Sequence, residues 1–238
     1  MQGLVVDHRI RMSARARRVT LRVTAEKGLE VVVPRGFDTA AVPRILERSK
    51  RWIDTAMARA ELQREALESR PPWEVPAQVE LPASGSAWRV EARKTGARRV
   101  SVRELEGRQL RVSGAIESEA ACRDALTRWL MRQARAWLIP RLQSISSRTG
   151  LRYKRASVRR QATRLGSCSA RGTISLNAKL LLLSPELVDY VLVHELCHLN
   201  QMNHSKHFWD LVRRHHPDCH AHASRVRESW RSIPRWAS

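Results

Sequence analysis

One short motif constrains this chain more than any other part of its sequence. His194, Glu195 and His198 form an H-E-x-x-H motif inside an otherwise apolar segment, although titratable groups are costly to bury without a partner. On a helix the two histidines project from one face, one turn apart, and can bind the same metal ion. Glu195 points about 100° around the axis, where it can reach a water without binding the metal. The motif therefore predicts a helix with two zinc ligands, His194 and His198, and a catalytic base, Glu195.

The third ligand must come from outside this helix, because a catalytic zinc site has three protein ligands and one position left for water. His204 lies six residues after His198, beyond a polar stretch that can end the helix and turn the chain back. We therefore predict His204 as the third ligand and Zn²⁺ as the cofactor. Metzincin peptidases use the same spacing, but they have a glycine where this chain has Gln201, and no Met-turn is evident here.

The other histidines and cysteines have simpler interpretations. His207 falls in the next predicted helix, whose Phe208 and Trp209 face inward, and we do not expect it to bind the metal. Cys197 is expected to be a core residue. Cys168 is the alternative fourth ligand, which would make the site a closed, structural one. Four later histidines are expected on a basic surface: His215, His216, His220 and His222.

The first half of the chain shows a repeated strand pattern. Residues 16–34 and 97–114 both place Arg-Arg-Val ahead of a β-branched run and a glycine in the turn that follows. Each segment is typical of a β-hairpin. The pair indicates either an internal duplication or two hairpins of one sheet. A helical pattern separates them, and the prolines near residue 72 end it.

The second half is mixed, with helices dominant. A long helix is predicted to begin at the N-cap Ser118, to kink at Pro140 and to end at Gly150. A hairpin follows, turning at residues 170–172, with its second strand at Thr173 to Asn177. Ser184 and Pro185 then start the motif helix. The composition changes near residue 115, so we predict a β-rich N-terminal region over residues 1–115 with an intervening helix, and a second domain over 116–238.

The charge of the chain is unusual. Lys and Arg number 44 against 23 Asp and Glu, a formal net charge of +21. Such an excess predicts a polyanionic partner, namely nucleic acid or nucleotide bound through the basic surface; a solvated basic face is the alternative. No run is long and apolar enough for a signal peptide or a membrane span. The four cysteines form no C-x-x-C pair, so we expect a cytoplasmic protein with reduced thiols and no membrane partner.

Residues 160–212 resemble the YgjP-like metallopeptidase domain, which is related to the SprT-type and WLM-type zinc peptidases. That family's pattern runs R-W-G-S-C, a strand ending in Asn, a proline-led H-E-x-x-H helix and N-H-S-x-x-F-W. The matching residues are Arg164, Gly166, Ser167, Cys168, Asn177, Pro185, Tyr190, His194, Glu195, His198, Asn203, His204, Ser205, Phe208 and Trp209. Leu165 departs from the pattern, because the family has Trp there.

The resemblance implies an α+β fold whose C-terminal half is a zincin-like metallopeptidase domain with the H-E-x-x-H helix at its active site. It implies His194, His198 and His204 as zinc ligands and Glu195 as the catalytic base. It also implies that the strand at Thr173 to Asn177 borders the cleft, where an edge strand could pair with an extended peptide.

The leading hypothesis is a zinc-dependent metallopeptidase that acts on peptide or protein substrates, near nucleic acid. Tyr190 is a candidate oxyanion donor; a buried tyrosine bonded to the backbone is the alternative. Two other functions fit the same residues. One is a metal-dependent phosphohydrolase that acts on nucleotides, because a basic cleft suits phosphate esters. The other is a basic nucleic-acid-binding protein with a structural zinc.

Overall fold

The computed structural model describes residues 7–69 and 71–238. The first six residues of the predicted N-terminal region, and Arg70, lie outside this description. The chain forms two compact units, Met1–Pro72 and Trp73–Ser238. Both contain strands and helices, which confirms the α+β class. Among the described helices, none is both long enough and apolar enough to cross a membrane.

The first unit is one small sheet with two helices. Its strands are β1 (His8–Ser13), β2 (Thr20–Thr24) and β3 (Gly28–Pro34), in the order β1-β3-β2. The predicted hairpin is present as the antiparallel pair β2–β3, and β1 pairs with β3 in parallel. Helices α1 (Val42–Arg48) and α2 (Lys50–Glu68) follow. Alternation along β3 buries Val31 and Val33 against Val42 of α1, so this unit has its own core.

The second unit begins with a four-stranded sheet and a long helix. Its strands are β4 (Gln78–Leu81), β5 (Ser86–Lys94), β6 (Ser101–Leu105) and β7 (Gln109–Gly114), in the order β4-β5-β7-β6. Helix α3 spans Glu119–Thr149 and continues through Pro140. The Ser118 side chain accepts a hydrogen bond from the Ala121 amide and Gly150 is left-handed, as predicted for the two caps. The sheet is fastened to α3 because Trp129 Nε1 donates to Glu104, at 3.0 Å.

The two halves of the repeat have the same topology in separate sheets. In β2–β3, Thr20 lies opposite Val32; in β6–β7, Ser101 lies opposite Ser113, which is the same register shifted by 81 positions. A third strand joins the second hairpin strand in parallel in both cases. The alternative of two hairpins in one sheet is therefore wrong, and the common topology supports an internal duplication.

A third sheet and three helices complete the second unit. The strands are β8 (Arg155–Arg159), β9 (Gly166–Cys168) and β10 (Thr173–Asn177), in the order β8-β10-β9. The helices are α4 (Pro185–Cys197), α5 (Lys206–His215) and α6 (Cys219–Arg231). Arg141 of α3 forms a two-pronged ion pair with Asp189 of α4, with N···O distances of 2.8 and 2.6 Å. This pair fixes the rotation of α4 about its axis.

The boundary between the two compact units lies after Pro72. The boundary that the sequence analysis placed near residue 115 lies inside the second unit, where Leu110 and Val112 of β7 share one core with Leu126 and Trp129 of α3. That boundary stays a prediction about which part of the chain folds alone.

Candidate active site

The H-E-x-x-H motif lies at the C-terminal end of α4. Most of this helix is buried, including Val191, Leu192, Val193, Leu196 and Cys197. His194 and Glu195 lie in its last turn, and His198 is the C-cap residue, one position before the predicted end at Leu199. Because the backbone of His198 is still helical, with φ −64° and ψ −15°, the two histidines keep the i, i+4 relationship that the motif requires.

His204 joins the two motif histidines. It lies in the loop before α5, and the potential ligand atoms of His194, His198 and His204 all lie within 4.8 Å of one another. The Nε2 atoms of His194 and His204 are 3.2 Å apart. Two nitrogens that each lie about 2.1 Å from one tetrahedral zinc ion are about 3.4 Å apart, so this pair has the spacing of two zinc ligands, and the third histidine lies within 4.8 Å of both. Within residues 7–69 and 71–238, neither Glu195 nor Cys168 belongs to this set.

Neighbouring groups orient the three rings. The Nδ1–H of His198 donates to the Gln201 carbonyl at 3.0 Å, which leaves its Nε2 lone pair free for a metal. Phe208 stacks on the His198 ring, with centroids 4.5 Å apart. Trp209 stacks on His204 at 5.8 Å. The predicted inward residues of α5 therefore pack against two of the three candidate ligands.

Burial lowers the pKa values of two of the candidate ligands, His194 and His198. Desolvation, together with the nearby His198 and His204, lowers the pKa of His194 to about 4. The pKa of His198 is also lowered, mainly by desolvation. Neutral imidazole is the form that binds metals, so the lowered pKa values favour the metal-binding form of both rings.

Glu195 is the buried carboxylate of the site. Only 6% of the surface of this residue is exposed. This burial raises the pKa of the carboxyl to about 7. It packs directly on Gly166 of β9: a Cβ atom built there would lie 2.8 Å from Glu195 Oε1. A carboxyl with a pKa near 7 can both accept and return a proton at neutral pH.

A cleft of about 500 Å³ opens beside the motif. Gly166, Ser167 and Cys168 of β9 line it, together with Glu195 and the three histidines. The strand that borders the cleft is thus β9, so the prediction that Thr173–Asn177 borders it is wrong. That segment is β10, the central strand of its sheet, whose two sides are already paired with β8 and β9.

Asn177 has a role that its spacing could not reveal. It is completely buried, and its Nδ2 donates to the carbonyls of Gln161 and Arg164, at 2.9 and 2.7 Å. Its Oδ1 accepts from the Lys179 amide at 3.1 Å. Asn177 therefore fastens the loop that leads into β9. Arg164 in this loop lines two clefts, and Glu195 lines both of them as well.

Tyr190 does not line the larger cleft. It is buried and lines a smaller cleft with Arg164, His194 and Glu195. Its ring centroid is 6.0 Å from that of His194, and burial raises its pKa to about 12. The hydroxyl is therefore a proton-bearing donor at every physiological pH.

The remaining histidines are placed as follows. His207 is exposed and lies outside the candidate ligand set, and Cys197 is buried in the core. Of the four later histidines, His220 is exposed as expected, whereas the other three are partly buried. His216 Nε2 lies 2.6 Å from His222 Nδ1, and the His216 ring packs 5.7 Å from Tyr190. The sequence pattern carried no signal for this pairing, because it joins the end of α5 to α6.

Comparisons with known proteins identify the family of the chain. The YgjP-like metallopeptidase domain family matches residues 17–229. A comparison with curated proteins gave no match. Among solved structures, the metallopeptidase zymogen abylysin of Pyrococcus abyssi is 30% identical in sequence; the match covers 30% of this chain and 72% of that chain, with a TM-score of 0.28.

Proposed function

Because the chain belongs to the YgjP-like metallopeptidase family, we propose that it is a zinc-dependent peptidase with Glu195 as its general base. The observation that carries this proposal is the convergence of three histidine side chains beside a buried carboxyl whose pKa is near 7. The family favours a peptide bond over a phosphoanhydride bond. A nucleic-acid partner stays a prediction from the net charge of +21.

His194, His198 and His204 would hold the metal ion. A zinc ion at this position would supply Lewis-acid chemistry, lowering the pKa of water and polarising the scissile carbonyl. Neighbouring residues orient the ligand rings. The Gln201 carbonyl holds His198 in one tautomer. Phe208 stacks on His198 and Trp209 stacks on His204, which fixes the planes of both rings. This fixed arrangement avoids reorganisation during the reaction.

Glu195 would move the proton. It accepts a proton from the water as the water adds to the carbonyl carbon, and returns this proton to the amine nitrogen when the carbon–nitrogen bond breaks. Burial favours both steps, because it brings the pKa of Glu195 to about 7. Gly166 keeps the carboxyl at the cleft wall, since no side chain separates β9 from it.

Two groups could stabilise the oxyanion that forms on the carbonyl oxygen. The Tyr190 hydroxyl and the Arg164 guanidinium both line the smaller cleft beside Glu195. Donors aimed at a developing negative charge contribute about 10²- to 10³-fold to the rate. We assign Tyr190 to this role because it is buried, while Arg164 is exposed and better placed to hold the substrate.

An extended peptide would lie along β9. This strand is at the edge of its sheet. The bonds from Asn177 to Leu165 and from Ser169 to Thr173 direct the polar groups of Leu165 and Ser169 toward β10. By alternation, the backbone groups of Gly166 and Cys168 point away from β10 and are available to a substrate strand.

The test is hydrolysis by the metal-loaded protein and by Glu195→Gln. The wild type should cleave casein, stop when a chelator is added and recover with Zn²⁺, while Glu195→Gln should bind zinc but lose about 10³-fold in rate. Glu186→Gln is the matched control, since Glu186 lies on the same helix and is exposed. Nucleoside triphosphates are assayed in parallel. Their hydrolysis in place of casein, or activity that survives in Glu195→Gln, would contradict the proposal.

A further inference from the structure

A second pocket lies just beyond the end of β9. Its volume is about 280 Å³, and it is lined by parts of three segments: 150–154, 169–172 and 199–200. The last segment follows His198 directly, and segment 169–172 continues from β9. The pocket is therefore continuous with both the strand and the metal-binding turn, although it contains none of the proposed catalytic or ligand residues.

The lining of this pocket is strongly cationic. Arg152, Lys154 and Arg171 contribute three positive charges, and the described residues that line it include no carboxylate. Within residues 7–69 and 71–238, no ion pair is formed by any of the three. Other basic residues do form such pairs, including Arg141 with Asp189 and Arg160 with Asp124. Three unneutralised cations around one concavity attract an anion.

Backbone hydrogen bonds join two of the segments that line the pocket. Gly172 has a left-handed φ of +74°, and a Cβ atom there would come within 3.4 Å of Lys154 Cγ. The Lys154 amide donates to the Gly172 carbonyl at 2.8 Å, and the Gly172 amide donates to Ser169 at 2.8 Å. These bonds hold the segments of Lys154 and Arg171 together, so the cations face one volume.

The pocket lies where a substrate paired with β9 would reach it. Glu195 contacts Gly166, and the pocket begins at Ser169, three residues farther along the chain. At about 3.3 Å per residue, this is about 10 Å along an extended strand. A peptide paired with β9 and cleaved beside Glu195 would bring a residue about three positions from the scissile bond to the pocket.

We propose that this pocket is a specificity subsite that binds a carboxylate of the substrate, selecting protein segments with acidic residues about three positions from the cleaved bond. The inference rests on the proposed peptidase function for the direction of the substrate along β9. A carboxylate fits because the pocket adjoins the peptide-binding edge, whereas a nucleic-acid backbone would require cations spaced along a longer surface.

The experiment measures binding to the zinc-loaded Glu195→Gln protein, in which the substrate stays intact. Fluorescein-labelled decapeptides carry two aspartates or two asparagines at the same end, and a second pair carries them at the opposite end. For one of the two ends, the aspartate peptide should bind about fivefold more tightly than its asparagine counterpart at low salt. This difference should shrink as salt is added, since the cations are exposed.

Charge reversal assigns the effect to the pocket. Lys154→Glu and Arg171→Glu should each abolish the preference for aspartate, with the neutral Lys154→Gln giving an intermediate result. Arg132→Glu, an exposed arginine of α3 that does not line the pocket, is the matched control and should keep the preference. Equal binding of both peptides at both ends, or a preference that survives the reversals, would overturn the subsite.

Binding of a labelled DNA duplex tests the alternative that the pocket is part of a nucleic-acid-binding surface. If the reversals weaken DNA binding and no peptide is discriminated, the pocket belongs to a nucleic-acid surface and the proposal is wrong. Because binding is measured on an inactive variant, absence of hydrolysis in the casein assay would reject the peptidase function without deciding the subsite. The peptide affinities decide the subsite independently.

Discussion

Gly166 and Glu195 touch across the wall of the cleft: a Cβ atom on Gly166 would lie 2.8 Å from Oε1 and 2.9 Å from Cδ of Glu195. Real Cβ atoms do not approach a carboxylate so closely, so any other residue at position 166 must displace the proposed base. One contact thus positions both the edge strand and the carboxyl of the proposed base.

Gly166→Ala should reduce kcat by about 10- to 100-fold, because a displacement of the base by a fraction of an ångström is costly. Zinc content should be unchanged, since the three atoms nearest to the added Cβ all belong to Glu195 and none to a histidine. Gly96→Ala is the control, because nothing lies within 4 Å of its Cβ position. A wild-type kcat in Gly166→Ala would show that this contact does not position Glu195.

His204→Ala should lose zinc, whereas His207→Ala should keep it. The two residues are three positions apart, and both are exposed, but only His204 lies in the candidate ligand set. Groups that merely support a ligand contribute about 10- to 100-fold to metal affinity, so loss of the ligand itself should cost at least that much. Metal content after dialysis, measured by mass spectrometry, provides the test; equal zinc in both variants would remove His204 from the site.

Tyr190→Phe should lower kcat by about 100-fold while KM and zinc content change little, because an oxyanion donor acts in the transition state. The chain offers a matched control in its other tyrosine. The Tyr153 hydroxyl bonds to Gln143 at 2.8 Å, away from the cleft, so Tyr153→Phe should keep its kcat. If Tyr190→Phe is fully active, its hydroxyl is structural only.

The metal-free protein should be stabilised by Glu195→Gln at alkaline pH. Burial raises the pKa of Glu195 from 4.5 to about 7, so the unfolded state loses its proton first and stability falls as pH rises through this window. At pH 8 the substitution should add about 3 kcal/mol to the free energy of unfolding, and much less at pH 4.5.

Glu186→Gln is the control whose pKa shift has the opposite sign to that of Glu195. The pKa of Glu186 is lowered, first by its backbone hydrogen bond, so its carboxylate stabilises the fold above its ordinary pKa, and the substitution should not stabilise at pH 8. Urea denaturation at the two pH values measures both variants. An equal gain for Glu195→Gln at both pH values would mean that its carboxyl is not perturbed.

Asn177→Asp should destabilise the fold by about 3 kcal/mol and lower kcat. Aspartate keeps the acceptor for the Lys179 amide but loses both donations, so the carbonyls of Gln161 and Arg164 lose their side-chain partner. Asn177 is a positioning residue, so metal content should be retained. Urea denaturation and kcat are the measurements, and a variant with wild-type stability would exclude this role.

The sequence predicted the features that local geometry decides. An i, i+4 pair on a helix must project from one face, so His194 and His198 were identified as neighbours without knowledge of the fold. The helix signals at Ser118, Gly150 and Pro185 depend on a few adjacent residues, and the helices begin and end there or within one or two positions. The α+β class, by contrast, was implied by the family resemblance of residues 160–212.

The tertiary structure alone decided which elements meet. A hairpin pattern does not state which strand lies at an edge, and β8, which pairs with β10 in parallel from a distance of 18 residues, makes β10 central and leaves β9 at the cleft. The contact of Gly166 with Glu195, the bonds of Asn177 and the cationic pocket at Arg152, Lys154 and Arg171 all join segments that are distant along the chain. Such pairings depend on the sum of many weak non-local contacts, and no short window of the sequence contains them.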